Sequence, residues 1–74
     1  MKHFYRSRRG VWFNLALFHR FHVERDRGCL KDQIFSVIGV MDISQDEEIT
    51  YVLEDFIEGE ENAQEILDNI MRSL

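Results

Sequence analysis

Residues 44–59 read SQDEEITYVLEDFIEG, and the expected fold class depends on this stretch, in which apolar residues recur at helical spacing. Ser44 and Glu47 have the spacing of a capping box, and acidic residues follow in what would be the first helical turn. Gly59 suits the end of a helix. The pattern therefore predicts an amphipathic helix whose buried stripe is Ile49, Val52, Leu53, Phe56 and Ile57.

The same pattern returns closer to the C-terminus. Asn62 and Glu65 repeat the capping spacing, and a second apolar stripe follows them. Its members are Ile66, Leu67, Ile70, Met71 and Leu74. We therefore predict a second helix, joined to the first by the segment GEEN at residues 59–62.

Upstream, residues 11–23 (VWFNLALFHRFHV) alternate between apolar and more polar positions, which is typical of a strand with one buried face. A helix is the competing interpretation, since apolar residues would then surround it. The tripeptides RRG (8–10) and DRG (26–28) favour hairpin loops closed by a glycine at positive φ. Strands are then expected at residues 2–8 and 29–42 as well.

These elements predict an α+β fold in which a three-stranded antiparallel β-meander is followed by two amphipathic helices packed on one sheet face. At 74 residues we expect one domain, 1–74, with a basic β-sheet part, 1–43, and an acidic helical hairpin, 44–74. A chain of this length has a small core.

Charge is distributed unevenly along the chain. Eight of the nine Lys and Arg residues lie in 1–31, and twelve of the fourteen Asp and Glu residues lie in 32–74, for a net charge of −5. Two interpretations stay open: the halves neutralise each other within one domain, or each half presents a surface to a partner.

The compartment is predicted from cysteine usage and from the start of the chain. Cys29 is the only cysteine, so no internal disulfide forms, which fits a reducing, cytoplasmic setting. The basic start followed by VWFNLALF is similar to a secretory signal, but Asn14 and His19-Arg20 interrupt the apolar run and no cleavage site follows. No stretch is long and apolar enough to predict a membrane span.

The first hairpin predicts a surface for binding. A three-residue loop at 8–10 pairs Ser7 with Val11 and Tyr5 with Phe13, which turns Tyr5 towards the core. The opposite face would be apolar and rimmed by arginines, as interaction sites are. We expect it to consist of Phe4, Arg6, Trp12, Phe18 and Arg20. Aromatic and basic side chains on a sheet could also stack and hold single-stranded nucleic acid.

The helices predict a second, acidic surface, with Glu54, Asp55, Glu58 and Glu61 among its members. Such an array could imitate phosphates and cover a basic, nucleic-acid-binding surface of another protein. Small acidic inhibitors encoded by phages often act this way, which is an analogy. The alternative is an ordinary solvated helix surface.

No pattern of catalytic residues is found. His19 and His22 with Cys29 could be read as zinc ligands, but residues three apart on a strand face opposite ways and no fourth ligand is suitably spaced. The glycines are isolated, so no phosphate-binding loop is predicted. We expect no enzyme activity, no metal and no cofactor.

The sequence therefore predicts a small non-enzymatic protein-binding module, an inhibitor or adaptor that occludes a surface of a larger protein machine. A phage-encoded protein of the anti-CRISPR-like or host RNA-polymerase-binding type is the analogy. The alternative is a nucleic-acid-binding regulator that uses the basic aromatic N-terminal strands. The expected partner is another protein; a homodimer is a further option because the strand at 29–42 is apolar on both faces. Nucleic acid is less favoured, and no membrane partner is expected.

Overall fold

The computed structural model describes residues 3–26 and 33–74, and it contains two antiparallel sheets and one α-helix in that part of the chain. A short hairpin comes first, and a 3₁₀ turn at Leu15–Leu17 connects it to a three-stranded sheet of order β3-β4-β5. A helix ends the chain. The elements are β1 (Phe4–Arg6), β2 (Trp12–Asn14), β3 (Arg20–Arg25), β4 (Ile34–Ser44), β5 (Glu47–Glu58) and α1 (Glu60–Arg72).

The predicted fold, a three-stranded meander followed by two helices, is therefore wrong. Residues 47–58 form the strand β5 rather than a helix, and Ser44 pairs with Glu47 across a tight turn instead of capping one. The predicted strand at 11–23 is also interrupted. Asn14 accepts a hydrogen bond from the Ala16 N–H at 3.1 Å and so caps the 3₁₀ turn, which divides the stretch between two sheets.

Two bulges give the buried positions of β5 a helix-like spacing, although Val52 and Phe56 of the predicted stripe are 53% and 64% exposed. Val37 pairs with Glu54 and Ile38 with Val52, so Leu53 is an extra residue on β5. A second extra residue lies between Glu54 and Ile57. Each insertion changes the two-residue period of a strand to three, which produces helix-like spacing of the buried positions. The β-branched and aromatic residues of β5 agree with a strand.

The core lies on one face of the three-stranded sheet, where α1 and the 3₁₀ turn pack. Its fully buried members are Leu15, Val37, Leu53, Ile57, Ala63 and Ile70. We call the sheet face that carries this core the inner face. Gly39 permits the close packing of Phe18 there, because a Cβ on Gly39 would lie 2.7 Å from Phe18 Cδ1.

Several local predictions are confirmed. The first hairpin has the predicted register, with Phe4 opposite Asn14 and Tyr5 opposite Phe13, and Gly10 has a φ of +86°. The second predicted helix exists, although it begins earlier, at Glu60. The loop predicted at DRG covers residues 26–28, of which 27 and 28 lie outside the described residues.

Candidate protein-binding surface

The buried carboxylate of Glu54 fastens the β1–β2 hairpin to the three-stranded sheet. Its side chain is only 4% exposed at the first bulge of β5. It accepts hydrogen bonds from the Tyr5 hydroxyl and from the Arg8 backbone N–H, the latter at 3.1 and 3.2 Å. The Arg8 Nε lies 3.5 Å from the same carboxylate. Hydrogen bonds to a buried charge are stronger than those between neutral groups, so this contact fixes the hairpin.

Tyr5 is held in its neutral form by this arrangement. Partial burial of the ring, and then the hydrogen bond to the Glu54 carboxylate, raise the pKa of the Tyr5 hydroxyl well above its usual range. Tyr5 therefore remains a hydrogen-bond donor to Glu54 at any physiological pH.

The loop at residues 8–10 is held by further contacts to β5. The Arg8 guanidinium donates to the Asp55 carbonyl, and Arg9 forms an ion pair with the Asp55 carboxylate at 2.9 Å. The Arg9 guanidinium also lies 6.0 Å from the ring centroid of Phe56. Two arginines of the basic N-terminal part are thus neutralised within the chain.

Phe4, Arg6 and Trp12 share the solvent-facing side of the hairpin, as predicted from its register. Trp12 is 63% exposed and Phe4 is 39% exposed. Arg6 is opposite Trp12, and it makes no hydrogen bond or ion pair to any described residue. We call these three residues the hairpin face.

Phe18 and Arg20 are not part of the hairpin face, so the predicted five-residue surface is not formed. Phe18 turns to the inner face, where its ring lies 5.5 Å from Phe21 and 5.9 Å from Tyr51. Arg20 lies on the opposite, outer face of the sheet and forms an ion pair with Glu48 at 2.8 Å. Because β3 and β5 flank β4, this ion pair crosses the central strand near the buried Val40.

A polar network surrounds that ion pair. His19 lies 3.4 Å from Asp42 through Nδ1 and 3.4 Å from Glu48 through Nε2. Potential ligand atoms of these three residues lie within 4.8 Å of one another, but the Arg20 guanidinium already lies 3.2 Å from His19 Nε2. The Arg20 cation thus fills the side of the cluster next to Glu48, and we interpret the network as an Arg20–Glu48 ion pair with polar contacts to His19 on the outer face.

The predicted acidic helix surface is also not formed. Glu54 and Asp55 lie on β5 and bind the N-terminal loop, as described above. Glu58 ends β5, with its carbonyl accepting from Asn62 Nδ2 at 2.7 Å, and Glu61 lies in the first turn of α1. Of the four predicted residues, Glu58 and Glu61 have exposed side chains, as the predicted acidic surface required.

The sequence reasoning missed that Glu54 and Tyr5 form one contact. A carboxylate placed between apolar residues in YVLEDF was the available signal, but an assumed helix directs Glu54 to solvent. Comparison with known proteins adds no assignment: no family profile, no curated protein and no solved structure matches the chain. In the part that the structure describes, no helix has the length and apolar character needed to cross a membrane.

Proposed function

We propose that this chain is a non-enzymatic protein-binding module whose hairpin face docks on another protein. The observation that carries the proposal is the solvent-exposed Trp12 beside Arg6, whose side chain has no partner among the described residues. Tryptophan and arginine are the residues that most often contribute large binding energies at the centre of protein interfaces. Large aromatic side chains exposed on a small monomer have no role in its own core.

The anchoring of the hairpin supports the proposal. Glu54, Tyr5 and Arg8 fix the strands that carry Trp12, so little conformational freedom would be lost on binding. The matching partner surface is an apolar pocket that accepts Trp12, bordered by a carboxylate that pairs with Arg6. Occupying such a pocket would make the chain an inhibitor or adaptor by occlusion.

The nucleic-acid alternative has less support from the contacts. Arg8, Arg9 and Arg20 are each paired with an acidic side chain of β5. Phosphate binding would have to compete with these internal carboxylates, and the overall charge of −5 opposes a polyanion.

The proposal is tested by comparing Trp12→Ala with Leu17→Ala, because Leu17 is equally exposed, at 62%, and lies outside the hairpin face. Each variant and the native chain would be immobilised and exposed to lysate of the source cells. The proteins retained by each would then be quantified by isotope-coded mass spectrometry. A partner should bind the native chain and Leu17→Ala alike, and bind Trp12→Ala about tenfold or more weakly when purified.

The Arg6→Glu variant extends the test to the predicted charge pairing. It should weaken binding to the same partner and make the remaining binding less dependent on salt. Equal retention by the native chain and both hairpin-face variants would contradict the proposal. Salt-sensitive gel shifts of single-stranded DNA or RNA, lost in Arg6→Glu, would favour the nucleic-acid alternative instead.

A further inference from the structure

The outward edge of β3 is open in the part of the chain that the structure describes. β3 is hydrogen-bonded to β4 on one side and is a terminal strand of its sheet. A cleft of about 1530 Å³ runs beside it. The cleft lies between β3 and the helix, because it is lined by Phe21, His22, Val23 and Arg25 of the strand and by Glu60, Glu61, Asn62, Gln64 and Leu67 of α1. Open edges of this kind are templates for a further strand.

The backbone direction along this edge follows from one hydrogen bond. The Asp26 N–H donates to the Ile34 carbonyl at 2.8 Å, so Asp26 faces β4. In an antiparallel pair, successive residues face alternate sides with their N–H and C=O groups. The backbone groups of His22 and Glu24 therefore face β4, and those of Phe21, Val23 and Arg25 face outwards.

The sequence of β3 is complementary to itself when read backwards. Two antiparallel copies that meet with Val23 on the two-fold axis place Val23 opposite Val23, with their backbone groups facing each other. In this register His22 is opposite the second copy's Glu24, and Arg20 is opposite its Asp26. Arg20 and Asp26 already have interactions within the monomer, so this last pair would extend existing networks.

On the inner face, the same register places Phe21 opposite the second copy's Arg25. Arg25 is exposed and makes no hydrogen bond or ion pair to any described residue. A guanidinium on an aromatic face is a favourable cross-strand contact. The pairing would therefore use the one cation of β3 that is not engaged in the monomer.

Neighbouring registers are less favourable. Moving the axis to His22 places His22 opposite its own copy, and moving it to Glu24 places two identical carboxylates opposite each other. The register centred on Val23 places an apolar residue on the axis and Arg25 opposite the Phe21 ring, whereas an axis on His22 would join Arg20 to the second copy's Glu24 but place Arg25 opposite its His19.

We propose that the chain forms a homodimer by antiparallel pairing of β3 with β3 of a second copy, centred on Val23. The two sheets become one continuous six-stranded sheet with a β5 strand at each end. This interface is separate from the hairpin face, so it stands or fails independently of the proposed function.

Analytical ultracentrifugation of the full chain tests the proposal. The native mass should rise from 8.9 kDa towards twice that value between micromolar and millimolar concentration. Val23→Pro should remain a monomer, because it removes an outward N–H and places a ring at the edge while leaving the β4 ladder intact. Val23→Thr keeps the N–H and the branched shape, so it should dimerise like the native chain.

Disulfide trapping tests the register without relying on the proline variant. In a Cys29→Ser background, Val23→Cys should crosslink to its own copy under mild oxidation, because paired Cα atoms on the axis are about 5.5 Å apart. Arg25→Cys should crosslink far more slowly, since its two copies would be about 13 Å apart along the strands. A native mass that stays at 8.9 kDa at millimolar concentration, or crosslinking that is equal at both positions, would overturn the proposal.

Discussion

The two edges of the three-stranded sheet differ in the contacts that they make with the rest of the described chain. At β5, the loop after β1 supplies Arg8 and Arg9, and their charges are paired with Glu54 and Asp55. At β3, the edge is open within the described residues, and Arg25 forms no ion pair with any described residue. Two basic residues of the N-terminal part, Arg8 and Arg9, are therefore paired internally at the β5 edge.

The residues that stabilise the fold therefore differ from those proposed to bind partners. The basic loop at residues 8–10 holds the hairpin against β5, whereas the hairpin face and the edge of β3 are the two surfaces that we propose for binding. Replacing the residues of the contact between this loop and β5 should lower the free energy of unfolding. Replacing the exposed Trp12 should alter association while changing stability little, whereas Val23 also packs against the core, so its replacement can change both.

The largest expected effect on stability is at Glu54. The Glu54→Ala change leaves the Tyr5 hydroxyl and the Arg8 N–H without their shared acceptor at a site that is almost fully buried. We expect the free energy of unfolding to fall by about 3 kcal/mol, measured by urea denaturation. Glu61→Ala, at an exposed position of α1, is the matched control and should change it by less than about 0.5 kcal/mol. Equal small losses in both variants would show that the contact between the hairpin and β5 is not formed.

A smaller loss is expected for Gly39→Ala, which tests whether Phe18 packs on the inner face. The added Cβ would lie 2.7 Å from the Phe18 ring, so the ring or the strand must move. Overpacking of this kind lowers the free energy of unfolding by about 1–3 kcal/mol. The double change with Phe18→Ala should lose less than the two single changes added together. Strict additivity would mean that Phe18 lies elsewhere.

The third expected effect is the pH dependence of Tyr5. Its pKa is raised in the folded state, while the unfolded phenol titrates near its ordinary value of 10.0, so the native state binds more protons above that pH. The stabilising contribution is fully present below pH 10 and is lost as the pH rises further. The slope is at most about 1.4 kcal/mol per pH unit, and it is reduced by the partial exposure of the ring.

Urea denaturation of the native chain and of Tyr5→Phe at pH 8 and pH 11 measures this contribution. The native chain should lose stability between the two values, and Tyr5→Phe should lose less. Identical losses in both proteins would contradict the contact between Tyr5 and Glu54.

The sequence predicts the parts of the fold that depend on local signals. The RRG loop and the alternation around it give the correct register of the first hairpin, with Gly10 at positive φ. The apolar stripe from Ile66 onwards gives the C-terminal helix. Both results depend on residues close together in the chain.

The errors arise where the strand period is broken. Two bulges in β5 place Leu53, Glu54 and Ile57 on one face, and this spacing cannot be distinguished from a helix by period alone. The 3₁₀ turn at Leu15–Leu17 shifts Phe18 to the inner face. The pairing of Arg8 with Glu54 joins residues 46 positions apart, so no local pattern could predict it.

Residue-resolved amide hydrogen exchange, measured by NMR at low and high protein concentration, tests the contrast between the two edges most directly. We expect the amides of Arg8, His22 and Glu24 to be protected at every concentration. The amides of Phe21, Val23 and Arg25 should exchange quickly at low concentration and become protected at high concentration, as β3 pairs with its copy. Protection of Val23 equal to that of His22 at every concentration, or rapid exchange at Arg8, would contradict the proposed contrast between the two edges.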